Sequence, residues 1–457
     1  MIKEKNIHNI FIYFLFIHLG IWTLIPSFTN TNLPLDTIEH LAWSSNLAFG
    51  YSKHPPLIAF ILEIFYQIFG SQDWAYYLLS QIFVIVSFFF IWRLSNEFFK
   101  KKIYSLISIL LIEGIYFYNY TTPEFNVNVC LLPFWSATVY YFWKCLDEDK
   151  NKNWILLGLF SALGFLSKYL FVYLIIPIVI FFLLKIYKEK KFNYNYITSI
   201  VVFLLIISPH LIWLIENNYS TILYAFKRAG VEKKNYIDHL INPIIFIFKQ
   251  FIILIPAIIL FLFLNIKKKF KLNFSNKKQF FLIIVNFLPI TLVLVTSLIT
   301  GAKIRTMWMT PFYLFFGVFF IYIFQSQINL KKIKRFLYCF IFLFILSPSL
   351  YLTVSILNKD KRTDYPGREI SILIQERWDK NFSNKIETVV GDEWFGGNLS
   401  YHLVNRPTWF NSLNKNVENL NPDGGIIYIG NPKILKKICP GVFGSIKPTG
   451  ICMIGIK

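Results

Sequence analysis

Apolar stretches of roughly 17–25 residues recur along the chain as far as about residue 356, each long enough to cross about 30 Å of hydrocarbon as a helix. About 11 can be marked, near 10–28, 74–93, 103–118, 125–143, 154–167, 170–185, 196–215, 243–265, 280–299, 307–325 and 336–356. They run apolar throughout, whereas the strands of a membrane β-barrel would alternate. Of 457 residues 55% are hydrophobic and only 16% charged, against roughly a quarter charged in soluble domains, which excludes a soluble enzyme and a disordered chain. The pair 154–167 and 170–185 is separated only by Ser167, Lys168 and Tyr169. It reads as a buried re-entrant pair or as two shortened spans, and in either case the chain returns to the same side.

A net charge of +21 raises the question of nucleic acid, but the basic residues sit at the ends of apolar spans, where they set orientation instead. With Lys3 and Lys5 inside, the inner connections carry Arg93 with Lys100–Lys102, then Lys144, Lys150 and Lys152, then Lys185, Lys188, Lys190 and Lys191. Lys267–Lys269, Lys271, Lys277 and Lys278 follow, and last Lys331, Lys332, Lys334 and Arg335. That is roughly 23 inner cations against about 8 outer ones, and an odd number of spans leaves the C-terminal segment outside. The first span is long and Pro26–Asn32 lacks a small-residue cleavage pattern, so it reads as a retained anchor. No repeat of fixed period is present.

Two parts read as extramembrane. Residues 29–73 have helical periodicity interrupted by Pro55 and Pro56, which predicts two amphipathic helices along the membrane surface. Residues 358–457 are richer in Gly and Pro, with a helix-like stretch at 367–379 and strand-like runs at Glu387–Val390 and Ile426–Ile429, which predicts a small α/β domain. Its Cys439 and Cys452 would bridge in an oxidising compartment or stay as free thiols; both readings stand. Cys130, Cys145 and Cys339 read as packing residues.

Carboxylates next to apolar helices need a reason. Asp36 and Glu39 share one helical face after the first span, and Glu124 opens the fourth. The plain account of Asp36 and Glu124 is that each complements a helix dipole. Cations lie on the same outer side: Lys168, Lys227 and Arg228, then Lys303 and Arg305. Snorkelling at helix ends explains such residues one at a time. Their retention where positive charge is normally depleted points to an anionic ligand such as phosphate. Glu113 and Lys249, nearer span interiors, read as helix-end or bundle-facing groups.

The motifs resemble those of bacterial glycosyltransferases related to protein O-mannosyltransferases and the lipid A aminoarabinose transferase. The likeness is carried by Asp36-Thr37-Ile38-Glu39-His40, by Gly50-Tyr51-Ser52-Lys53-His54-Pro55-Pro56-Leu57, and by Thr122-Pro123-Glu124 with Phe134-Trp135. Leu166–Tyr169, Pro209–Trp213, Lys303–Trp308 with Pro311, and Asp392–Pro407 extend it over nearly the whole chain. The resemblance implies the GT-C fold: a polytopic α-helical membrane domain over 1–357, its first periplasmic loop at 29–73, and a periplasmic α/β domain over 358–457. It implies a polyprenyl-phosphate sugar donor and a site facing outward. Asp36 would be the general base, Glu39 and Glu124 would support the acceptor or a metal, and His54, Lys168, Lys303 and Arg305 would hold the donor phosphate. Trp43, Tyr51 and Trp308 would stack on sugar.

Thr37 and Lys53 stand where the family has acids, and Glu124 where it has Asp. The first two changes remove potential metal ligands, so the expectation is no tightly held divalent ion and at most a weakly bound one, and Lys53 is free to offer its charge to a phosphate. The expected partners are the lipid donor, a glycolipid, glycan or protein acceptor, and the bilayer, with no nucleic acid. A composition rich in Asn, Lys, Phe and Ile fits an AT-rich bacterial genome, so the expected location is a bacterial inner membrane and the expected acceptor a cell-envelope glycolipid such as lipid A or lipopolysaccharide. Two rivals are a transporter or flippase of lipid-linked sugars, which predicts mid-span charges and paired repeats, and an inactive relative that keeps the scaffold as an assembly partner.

Overall fold

A computed structural model describes residues 4–231, 235–264, 272–358, 360–411, 424–446 and 448–457. Lys3, Lys267–Lys269 and Lys271, used above to orient the chain, lie outside them, as do Lys233 and Lys234, two of the outer cations counted there. The apolar region folds as α1 (Glu4–Thr29), α2 (Leu35–Ser44), α3 (Leu57–Phe69), α4 (Asp73–Phe98), α5 (Lys102–Ile112), α6 (Val127–Asp147) and α7 (Asn151–Ser167). It continues as α8 (Val172–Glu189), α9 (Asn195–Glu216), α10 (Ser220–Arg228), α11 (Asp238–Leu262), α12 (Lys277–Thr300), α13 (Phe316–Phe324) and α14 (Lys334–Leu357).

All eleven apolar stretches contain helix, but fewer have the dimensions of a span. Among the described residues seven are long and apolar enough to cross a membrane, namely α1, α4, α8 with the turn before it, α9, α11, α12 and α14. The segment Thr306–Tyr313 and α13, bent by 47°, make an eighth if counted together. The remaining three are shorter or more polar. The stretch 103–118 holds only the 11-residue α5, because the helix stops at Glu113, and α7, at 17 residues, is at the lower edge of the length that spans. The 21-residue α6 is long enough but carries Asn128, Trp135, Tyr140, Tyr141 and Trp143, polar-edged residues that suit a helix packed between α4 and α7. Glu113 is buried beside His18 of α1 at 3.3 Å, and Lys249 is exposed on α11.

Close helix contacts rest on small residues. A side chain at Gly158 would meet the Ser199 carbonyl at 2.4 Å where α7 crosses α9, and one at Gly317 would meet the Ser108 carbonyl at 1.9 Å where α13 crosses α5. Several basic connections gather at one end of the bundle. There Lys144 pairs with Glu97 at 3.2 Å, while Lys277 and Lys278 donate to the carbonyls of Leu146 (2.8 Å) and Glu97 (2.5 Å).

At the other end sits the C-terminal domain. Strands β1 (Ile386–Val390), β2 (Thr408–Phe410), β3 (Gly425–Gly430), β4 (Val442–Ile446) and β5 (Thr449–Ile454) form one sheet in the order β2-β1-β3-β5-β4. The first three are parallel, and β5 runs antiparallel to β3 and β4. Helices α15 (Gly367–Asn381), α16 (Phe395–His402) and α17 (Pro432–Ile438) complete it around Ile374, Trp378, Val389, Ile427 and Met453. Cys439 and Cys452 are bridged, which decides between the two readings of that pair.

The two helices expected over residues 29–73 form as α2 and α3, and α2 is covered rather than exposed. Residues 37–44 of α2 are all buried, because the C-terminal domain covers the face that the bundle leaves open. Gly397 of α16 lies so close to Ile38 and Ala42 that a side chain there would meet both at 3.1 Å. Arg406 pairs with Glu63 of α3 at 2.8 Å, donates to Ser44 Oγ at 2.7 Å and covers the Tyr66 ring. The Trp409 amide donates to Ser45 Oγ, and Tyr401 Oη donates to Asp73.

Candidate active site

A cavity of about 520 Å³ opens beside the C-terminal domain, walled by α2, the segment 53–55, the start of α6, the α7–α8 hairpin, the end of α9, α10 and residues 307–308. Its charged lining is Asp36, Glu39, Lys53, Lys168 and Arg228, with His54 and Asn128. The rest is largely apolar, including Leu211, Leu214, Phe226 and Trp308.

Asp36 sits in the first turn of α2. Its backbone N–H donates to Glu124 Oε1 at 3.1 Å and the Thr37 hydroxyl donates to the Phe125 carbonyl at 3.2 Å, so the start of α2 is fastened to the loop before α6. Burial pushes the Glu124 carboxyl up to about 7, with the nearby Asp36 charge adding to the rise. Glu124 therefore grips the backbone behind Asp36 and is not among the residues that line the cavity.

Lys168 ends α7, at a hairpin tight enough that a side chain on Gly164 would strike the Phe171 ring at 2.4 Å. Its ammonium donates to Asn128 Oδ1 at 2.5 Å and lies 5.6 Å from the Trp308 ring centre. Burial lowers its pKa to about 7, opposed by the Asp36 carboxylate. No carboxylate pairs with it directly among the described residues, so the cavity holds a desolvated cation prepared for an anion. Burial, then the charges of His40, Lys168, Lys53 and Arg228, hold His54 well below the usual imidazole range. It is a neutral ring at neutral pH, able to donate one hydrogen bond.

Lys53 bridges Glu39 of α2 and Glu393 of the C-terminal domain, the latter at 3.0 Å. Burial disfavours its charge, but the two carboxylates outweigh that and raise its pKa. Burial pushes Glu39 up to about 7, with Lys53 pulling the other way.

The structure thus brings Asp36, Glu39, His54, Lys168 and Trp308 to one cavity. It places others elsewhere. Lys303 is exposed, and neither it nor Arg305 lines the cavity; the Lys303 amide instead donates to the Ala229 carbonyl at 3.0 Å, next to Arg228. Trp43 and Tyr51 stack on each other, 5.0 Å apart, and pack with Ala59 and Trp409 outside the cavity. Arg228 stood out in the sequence only as one of several outer cations. Asn128 gave no signal and Glu393 only as part of the stretch Asp392–Pro407, since each matters through a partner distant in the chain. Among the described residues no group of three or more His, Cys, Asp or Glu side chains is arranged to hold a metal ion. Glu39 is engaged by Lys53 and Glu124 by a backbone amide, so the acids do not fit a shared divalent ion and no step is routed through one.

Residues 53–213 match the family model described as dolichyl-phosphate-mannose-protein mannosyltransferase. Over 97% of its length the chain superimposes on 97% of ArnT from Cupriavidus metallidurans, both bound to undecaprenyl phosphate and in the apo state, with a TM-score of 0.64 and 10% identity in each case. The chain has the fold of ArnT. The resemblance read from the motifs is borne out. The chain is 24% identical over 188 residues to lipopolysaccharide core galacturonosyltransferase RgtA of Rhizobium johnstonii. It is 28% identical over 141 residues to the undecaprenyl phosphate-alpha-4-amino-4-deoxy-L-arabinose arabinosyl transferase of Wigglesworthia glossinidia brevipalpis. These matches cover 41% and 29% of this chain, and 38% and 24% of the two relatives.

Proposed function

We propose that this ArnT-like protein is an integral-membrane glycosyltransferase that moves a sugar from a polyprenyl-phosphate donor to a lipopolysaccharide or other cell-envelope acceptor on the periplasmic face of a bacterial inner membrane. The observation that carries this reading is the cavity itself. One wall offers the carboxylate of Asp36, others offer the cations Lys168 and Arg228, and an apolar surface beside them suits a lipid chain. The donor class is supported by the undecaprenyl phosphate bound to the ArnT of like fold, and the acceptor class by the lipopolysaccharide core named for the Rhizobium relative.

In this mechanism Asp36 takes the proton of the acceptor hydroxyl as its oxygen bonds to the anomeric carbon. The bond from that carbon to the phosphate oxygen breaks, and its electron pair leaves on the polyprenyl phosphate. Lys168 and Arg228 stabilise the charge on that oxygen, with the neutral His54 as a further donor. The configuration at the anomeric carbon inverts. Asn128 and Trp308 keep the Lys168 ammonium aimed into the cavity.

The test is to incubate the purified, lipid-reconstituted protein with radiolabelled polyprenyl-phosphate sugars and an envelope glycolipid extract. Labelled glycolipid is the expected result. Movement of the donor across vesicles without labelled product would replace this reading with the flippase one, and no product from any donor would overturn it.

A further inference from the structure

Lys53 stands where the family resemblance leads one to expect an acid, and two carboxylates surround it. Its ammonium is held between Glu39, which lines the cavity one turn after Asp36 on the same face of α2, and Glu393, which belongs to the C-terminal domain. Glu393 follows Asp392, whose carboxylate accepts from the amides of Trp394 (2.9 Å) and Phe395 (2.6 Å). That cap fixes the turn that carries Glu393 at the start of α16, the helix whose Gly397 packs on α2. Glu393 is therefore presented to Lys53 by the same surface that seats the domain on the bundle.

We propose that Glu393 is a positioning residue for the transfer reaction: the C-terminal domain, through Glu393 and Lys53, fixes the Glu39 carboxylate beside Asp36 and so completes the catalytic cavity. The inference rests on the function proposed above. A lysine side chain has four rotatable bonds, and with a single partner it carries that partner through many conformers. With two carboxylates on separate elements the ammonium is pinned, and Glu39 is pinned with it. Loss of Glu393 leaves the Lys53–Glu39 pair free to swing toward Asp36, where the ammonium would neutralise the carboxylate that takes the acceptor proton. Lys168, Arg228 and Asn128 are untouched by that change, so donor binding is unaffected.

Kinetics of Glu393→Gln in the full-length reconstituted protein test this. The expected result is a fall in kcat of about tenfold with donor KM within about twofold of wild type, most of it restored in Glu393→Asp. In a Lys53→Met background Glu393→Gln should change kcat by less than about twofold, since its route to the site is gone. A second readout is independent of turnover: with one carboxylate removed, Lys53 should react several-fold faster with an acylating reagent at mildly alkaline pH, followed by peptide mass spectrometry. Unchanged kcat in Glu393→Gln, an equal loss in the Lys53→Met background, or unchanged Lys53 labelling would each overturn the proposal while leaving the transferase reading intact. A wild-type protein that transfers no sugar would overturn both.

Discussion

Asp36, the proposed base, is held through its backbone. Glu124 takes the backbone amide, His40 Nδ1 contacts the Asp36 carbonyl, and the carboxylate alone is left to line the cavity. Asp36→Asn preserves these backbone contacts, so transfer should fall by about 10²–10⁴-fold while membrane insertion and thermal melting stay unchanged. Lys168 makes a prediction about pH. Its free-state pKa is near about 7 because burial opposes the charge. An anionic phosphate favours the charged form, so above pH 7 binding must draw in a proton. Affinity for polyprenyl phosphate should therefore weaken as pH rises above about 7, by at most about tenfold per unit. Lys168→Arg, which stays charged, should flatten that dependence when binding is followed by calorimetry.

At the scale of elements, α2 is the part that the rest of the molecule holds still. Its start is fastened by Glu124 and Phe125, and its flank is covered by α16. Its far end is clasped by Arg406, which reaches Glu63, Ser44 and the face of Tyr66. Arg406 also has φ +42°, a left-handed conformation costly for a side chain other than glycine, and the contacts around it hold it there. Arg406→Ala leaves Glu63 half-buried without its cation and should weaken the seating of the C-terminal domain by about 3 kcal/mol. Faster proteolysis in the 360–411 region and lower transfer would show it. Equal protease resistance in variant and wild type would count against the clasp.

At the scale of the whole molecule, the domain must keep its own fold to present Glu393 and Arg406. The Cys439–Cys452 bridge ties the end of α17 to β5 across 13 residues of chain. Replacing both cysteines by serine should cost the domain about 2–4 kcal/mol and lower its melting temperature, while the helices of the bundle, which contain no part of the bridge, should melt as before. Coincident shifts of both transitions would show that domain and bundle unfold as one unit.

The membrane character of the chain was decided by the sequence alone, because a helix must satisfy its own backbone in hydrocarbon and only long apolar runs pay the cost of entering it. Local composition likewise marked the α/β character of residues 358–457 and drew attention to Asp36 and Lys168, while His54 came from the motif resemblance. Hydropathy does not say which apolar helix is wrapped by others: α6, marked like the rest, is packed between α4 and α7. Which cation faces Asp36 is equally a tertiary matter: Arg228 enters the cavity while Lys303 and Arg305 do not, because the connection after α12 turns Met307 and Trp308 inward instead. The pairing of Lys53 with Glu393 joins segments hundreds of residues apart. Charge acts across space and is blind to position along the chain, so such a contact is set by packing and leaves no local trace in the order of residues.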